Sequence, residues 1–296
     1  MKNRWILNLL LLIIVAGLVA FLYLRPQTKN DAPKEHAVSE LKLADFTQVK
    51  IEFPSRAAAI FDKVDGYWRM SAPHKARADQ GSVQRILSIV AATSTEKFLS
   101  DDLEKFGLNT PALKIKLAGK TNQEFIFGTH NPVTDEQYMA HNNAVYLITG
   151  NYSEAASTQA VELIDKSAIS TDEAKQVTSF DFSRLEQWAE SGLKVTINDG
   201  KWLSSLKLAK LDQNEMNEWF DFSWKQNPAK SVELYNPDRK ANLPSFELKL
   251  KNGKNIHFDK IQESPELLIG RPDEGIIYHF SNDSGFTMLN PPLNIK

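Results

Sequence analysis

The sequence predicts an α+β protein: an N-terminal transmembrane helix, then two tandem, internally duplicated units of antiparallel sheet plus helix. Three observations predict it. The twenty residues from Trp5 to Leu24 carry no charge, and at about 1.5 Å per residue such a helix spans the roughly 30 Å hydrocarbon core of a bilayer. Beyond them, apolar residues alternate with polar ones between Asp-Gly, Asn-Gly and proline turns, with one amphipathic helix in each half. Finally, Asp65-Gly66-Tyr67-Trp68 returns 134 positions later as Asp199-Gly200-Lys201-Trp202.

The N-terminal segment has Asn8 as its one clearly polar side chain, Lys2 and Arg4 ahead of it, and Trp5 and Tyr23 near its ends, where amphipathic rings favour the headgroup region. The membrane is thus the first expected partner, through Trp5 to Leu24. A cleaved signal peptide is the rival reading, drawing on Ala16, Gly17 and Ala20, although the apolar run exceeds a usual signal core and lacks an A-x-A site. Residues 1–24 are read as cytoplasmic tip and anchor, and 25–44 as linker. Its polar stretch from Arg25 to His36 reaches at most about 40 Å when extended, which tethers the globular part near the bilayer.

The first unit, 45–166, opens on a strand in which Val49, Ile51 and Phe53 alternate with Lys50 and Glu52 up to Pro54. A hairpin follows, Ala58 to Lys63 and Tyr67 to Met70, around the Asp65-Gly66 turn. Asp79 is placed to cap a helix from Gln80 to about Thr93, since Val83, Ile86, Leu87 and Val90 share one face. A strand at Glu96 to Leu99, a helical turn from Asp101 to Leu108, and strands carrying Leu113, Ile115, Leu117 and then Phe125, Phe127 come next. Tyr138 to Ala140 and Val145 to Ile148 flank the His141-Asn142-Asn143 turn, and Ser153 to Leu163 reads as helical.

The second unit, 167–296, starts on Val177 to Phe182; Arg184 to Glu190 is a short insertion before Leu193, Val195 and Ile197. From there one offset of 133 aligns Asp79 with Asp212, Val83 with Met216, Ile86 with Trp219, Leu87 with Phe220, Pro111 with Pro244 and Leu113 with Phe246. Repeats of this length are domains rather than solenoid units.

The totals restrict function. Lys plus Arg number 35 against 37 Asp plus Glu, a formal charge of −2, which gives nucleic acid no electrostatic footprint. The sequence has no Cys, hence no disulfide, thiolate nucleophile or lipid-anchor cysteine. No two of the six histidines sit in an H-x-H or H-E-x-x-H pattern, and the nearest pair, His130 and His141, straddles a loop. G-x-S-x-G, P-loop and dinucleotide-binding motifs are lacking, so no enzyme activity, catalytic residue, cofactor or metal is expected. Trp68, Trp202 and Trp224 are the candidate ligand or partner surface, because an indole offers a large apolar face with a polar edge. The competing reading puts Trp68 and Trp202 in the core behind their turns, and lets Trp224 extend the helix stripe of Trp219 and Phe220.

The Asp65-Gly66-Tyr67-Trp68 hairpin, Pro73, Ala78-Asp79, Phe106-Gly107-Leu108 before Pro111, and Val145-Tyr146-Leu147 together resemble the bacterial family catalogued as domain of unknown function 4340. The resemblance covers about 45–166 well and the second half more loosely, where Lys240-Ala241-Asn242 stands in place of Phe106-Gly107-Leu108. It implies no established activity and no site residues, and a likeness to accessory components of ABC-type transport systems. The resulting expectation is a single-pass protein of the bacterial inner membrane, its C-terminal domain in the periplasm or outside the cell, binding a protein partner such as a transporter component. A periplasmic ligand- or carbohydrate-binding module is the alternative.

Overall fold

Helix α1 (Lys2–Leu24) is 23 residues long, and its described apolar side chains are exposed, Leu12 at 66% and Phe21 at 61%. The computed structural model describes residues 2–24, 35–99, 102–235 and 243–295. Most of the expected linker, Asp101 and Lys240-Ala241-Asn242 fall outside these. Among the described residues no helix is long and apolar enough to cross a membrane.

In the first half the strands are β1 (His36–Ala37), β2 (Phe46–Glu52), β3 (Ala59–Val64), β4 (Tyr67–Ala72), β5 (Ala76–Arg77), β6 (Thr93–Ser94), β7 (Lys97–Leu99), β8 (Leu113–Gly119), β9 (Gln123–Asn131), β10 (Glu136–His141) and β11 (Ala144–Thr149). Nine of them form one antiparallel sheet in the order β5-β4-β3-β2-β8-β9-β10-β11-β7. Alternation decides the faces: Val49, Ile51, Ile115 and Leu117 are buried, while Lys50, Glu52 and Lys116 form ion pairs on the other side. A register shift between Phe46 and Gln48 puts Phe46 on the buried face together with Val49, three residues on.

The second half has β12 (Val177–Arg184), β13 (Lys194–Asn198), β14 (Lys201–Ser204), β15 (Ala209–Lys210), β16 (Ser231–Leu234), β17 (Ser245–Leu250), β18 (Asn255–Gln262), β19 (Glu266–Arg271), β20 (Ile276–Ser281) and β21 (Asn294–Ile295). Eight make a second antiparallel sheet, β14-β13-β12-β17-β18-β19-β20-β16. Leaving β5 aside, this order follows that of the first sheet strand for strand.

Helices cover the buried faces. In α2 (Gln80–Leu87), Asp79 accepts from the Ser82 N–H and Val83, Ile86 and Leu87 are buried; the helix ends six residues before the expected Thr93 and tightens into a 3₁₀ turn at Ser88–Ala91. The expected helix at Ser153 to Leu163 is two pieces, α3 (Asn151–Ser157) and a 3₁₀ turn at Ala160–Leu163. A short α4 (Thr171–Ala174) precedes β12. In α5 (Gln213–Phe220), Asp212 accepts from the Asn214 and Glu215 N–H groups, and Met216, Trp219 and Phe220 are buried. It runs on as a π turn, Asp221–Lys225, which is one residue longer than the 3₁₀ turn of the first half. Helix α6 (Asn282–Leu289) follows β20. Around Leu103–Gly107 the chain makes a turn and no helix. Gly107 has φ +67° there, and an added Cβ would stand 2.1 Å from the Thr129 hydroxyl.

A glutamine performs the same task in both halves. The Gln80 amide accepts from the Trp68 N–H at 2.8 Å and donates to the Trp68 C=O at 3.0 Å; Gln213 does so for Trp202 at 2.8 and 3.1 Å. Each helix start is thereby clasped to its hairpin. Gln213→Ala is expected to leave both Trp202 backbone groups unpaired and to cost about 1–3 kcal/mol in urea unfolding; an unchanged midpoint would sink this account.

The segment joining the halves is hydrogen-bonded to both of them. Ala78 bridges Ile164, Asp165 N–H donates to Arg77 C=O at 2.9 Å, and Ala229 N–H donates to Lys166 C=O at 2.8 Å. Buried side chains from both halves, Val38 through Leu289, accordingly form one continuous core.

Candidate functional site

Where this joining segment crosses from one half to the other, two arginines are buried among carboxylates. Arg77 ends β5. Its Nε donates to Glu274 Oε1 at 2.8 Å and its Nη2 to Glu274 Oε2 at 3.1 Å, a forked pair. The remaining donors reach Asp165, the Ser167 carbonyl and, at 3.0 Å, the Tyr278 hydroxyl, which donates in turn to Glu274 at 2.7 Å. Arg271 ends β19, where alternation with Leu267 and Ile269 turns it inward and leaves it 1% exposed. It forks to Glu173 at 2.6 and 3.0 Å, donates to Asp273 at 2.9 Å and to the Ala168 carbonyl at 2.9 Å. Glu173 is positioned by the capping box of α4, in which it also accepts from the Ser170 N–H at 2.8 Å.

Burial disfavours the charged forms of Arg77, Arg271 and Glu173, and their partners reverse it. The Arg77 guanidinium is nonetheless held above its ordinary value by Glu274, Tyr278 and Asp165, and that of Arg271 by Glu173, Glu274 and Asp273. Burial would raise the Glu173 carboxyl, but the hydrogen bonds and charge of Arg271 pull it down to about 2. The Tyr278 hydroxyl is pushed up, first by burial and then by Glu274.

A cleft of about 430 Å³ opens beside the network, with Tyr67, Arg69, Thr171 and Lys254 on its walls. A second groove, about 720 Å³, runs between α2, α3 and the joining segment past Arg85, Glu154 and Pro228. The arginines deep in the cleft have their donors taken by protein acceptors, so their charge acts on the fold. Among the described residues no group of three His, Asp or Glu side chains is placed to hold a metal ion.

Trp68, Trp202 and Trp224 are exposed by only 4, 3 and 1%, which corrects their candidacy as a surface for ligand or partner. The Trp202 ring lies 5.7 Å from Phe220 and 6.0 Å from Trp219, and Trp224 lies 5.0 Å from Phe180. Such rings present no open face for stacking. His130 stands opposite Gln137 in the β9–β10 ladder, four residues along β10 from His141 and so roughly 13 Å away by strand rise. It pairs with Asp135 at 3.2 Å, while His141 is buried in a stack 4.2 Å from Phe125, and burial lowers its pKa. The two do not converge. Arg77, Asp165 and Glu274 carry no local signature in the sequence. The available signs are the Ser170-x-x-Glu173 capping box and the charged Arg271 at a buried step of an alternating strand.

Linkage gives this network a direction in pH. The lowered carboxyl of Glu173 contributes stability that is fully present above the ordinary glutamate value and lost as pH falls toward about 2. Urea midpoints of the wild type should therefore drop between about pH 4.5 and pH 2, and Glu173→Gln should start lower at neutral pH and fall less over that window. Parallel pH profiles would exclude Glu173 as a source.

The fold and this joint define a class: an α+β protein of two large antiparallel sheets whose charged centre is an ionic seam between its halves. The chain belongs to the family described as Domain of unknown function (DUF4340), whose model matches residues 68–232, from β4 into β16, which takes in Arg77, Asp165 and Glu173 and stops before Arg271 and Glu274. No curated protein and no solved structure matches the chain.

Proposed function

We propose that the chain is a membrane-tethered protein acting outside the cytoplasmic membrane by binding another protein, as an accessory component of an ABC-type transport system. The observation that carries the reading is α1: 23 residues in one helix, with apolar side chains such as Leu11, Ile13 and Val19 exposed by 60% or more, and no charge from Trp5 to Leu24. Such a surface is costly in water and suited to lipid. Lys2 and Arg4 ahead of it favour a cytoplasmic N-terminus and a periplasmic globular part.

Within that part, 45–166 and 167–296 are two copies of one unit. The matching strand orders, the 133-residue offset and the paired glutamine clasps support this duplication. The transporter assignment draws on the family resemblance. Extraction of native membranes with alkaline carbonate tests the anchor: the protein should stay in the pellet, and release to the supernatant would refute the span. For the partner, affinity purification from the same membranes should return a transporter component in fixed ratio, and recovery of this chain alone would count against the reading.

A further inference from the structure

In the first half, Arg77 receives Glu274 of the second half, and Tyr67 and Arg69 stand on the wall of the adjoining cleft. On the duplication reading above, on which the following rests, the counterparts of Tyr67, Arg69 and Arg77 are Lys201, Leu203 and Lys210. The neighbourhood is repeated closely: Ala76-Arg77-Ala78-Asp79-Gln80 is answered by Ala209-Lys210-Leu211-Asp212-Gln213. The Gln213 clasp on Trp202 assembles this second face as Gln80 assembles the first. Even the joining segment has an analogue, because β21 pairs with β15, Ala209 opposite Ile295, as Ile164 bridges Ala78.

The two faces differ in what lies on them. Arg77 is buried against Glu274 of the second half, whereas Lys201, Lys207 and Lys210 are exposed, with Leu203 at 49% and Leu208 at 71% between them. Of the nearby carboxylates, Asp212 is spent on the α5 N–H groups, and Asp199 stands at the tip of the hairpin turn.

We propose that this second-half face is a docking site for a partner protein presenting an acidic β-hairpin, in the way the Arg271–Ile276 turn of this chain presents Glu274 to Arg77 of the first half. Charge complementarity and the likeness of this face to the internal interface select that occupant. The internal contact is head to tail, so each unit has two different binding faces, and a chain of two units leaves one of each kind outward. A second copy is a poor occupant. Its Glu274 is committed to its own Arg77, and the matching turn of its first half is Asn142-Asn143, which carries no charge.

Photo-cross-linking in native membranes tests the site, with benzoylphenylalanine at Leu208 of the full chain and, as control, at Val133, which is 91% exposed on the first half. The expected result is an adduct at Leu208 only, whose cross-linked partner peptide carries clustered Asp and Glu. Lys207→Glu combined with Lys210→Glu should cut its yield at least tenfold with the melting temperature unchanged, and Asp/Glu→Lys reversal in the partner peptide should restore it. No adduct above the Val133 control, an adduct confined to lipid or to a second copy, or a yield indifferent to charge reversal would each overturn the site. Duplication is read separately, by superposing the two halves in an experimental structure. Halves that superpose alongside a silent Leu208 discard the docking site alone, and halves that fail to superpose discard the duplication whatever the cross-link shows.

Discussion

Arg77→Ala is expected to lower the unfolding free energy by about 3–5 kcal/mol, the cost of removing one partner from a buried ion pair. The side chain is 10% exposed and answers two carboxylates, Asp165 at 28% and Glu274 at 15%. Without the guanidinium, Glu274 retains the Tyr278 hydroxyl and a 3.4 Å approach to Arg271, while Asp165 loses its cation. Charge is then left in a low-dielectric seam with too few donors. Arg77→Lys should fall between wild type and alanine, because one ammonium cannot reproduce the fork to Glu274. Lys210→Ala, at an exposed position that also precedes a capping aspartate by two residues, should change little. Urea unfolding followed by tryptophan fluorescence distinguishes these outcomes. Equal midpoints for Arg77→Ala and wild type would mean that the seam does not hold the halves together.

How much of this was legible in the sequence depends on distance along the chain. The cap at Asp79, the face of Val83, Ile86 and Leu87, and the alternation of Leu113, Ile115 and Leu117 are set by neighbours within a turn or a strand, and the structure has them where local spacing places them. The seam is different in kind. Arg77 and Glu274 are 197 positions apart, and only the docking of two sheets brings them together. The glutamine clasp lies in between: Gln80 and Gln213 each follow a capping Asp, so the dipeptide repeats visibly, yet an amide bonding a strand twelve or eleven residues upstream has no periodic sign. Trp224 falls where face counting extends the stripe: Met216, Trp219, Phe220, Ser223 and Trp224, at i, i+3, i+4, i+7 and i+8, are buried, while Phe222 between them is 64% exposed.

Trp202→Ala should cost about 3–5 kcal/mol, the range for emptying a large aromatic site. The ring is 3% exposed, its Nε1 donates to Asn217 at 2.8 Å, and Phe180, Trp219 and Phe220 surround it. Those neighbours are restrained: Trp219 is held by its own bond to the Thr287 carbonyl at 2.8 Å, and Phe220 by the last turn of α5. A wall that cannot collapse keeps the cavity open, which places the loss toward the upper end of the range. Trp68→Ala, at 4% exposure, should fall in the same range. Trp202→Phe separates the contributions, since it keeps an aromatic ring and loses the Asn217 bond, and should cost less than alanine. The two readings of the Asp-Gly-x-Trp hairpin diverge here: a core residue shifts the urea midpoint and leaves partner recovery from membranes intact in the folded fraction, whereas near-wild-type unfolding with lost binding would return Trp202 to the partner surface.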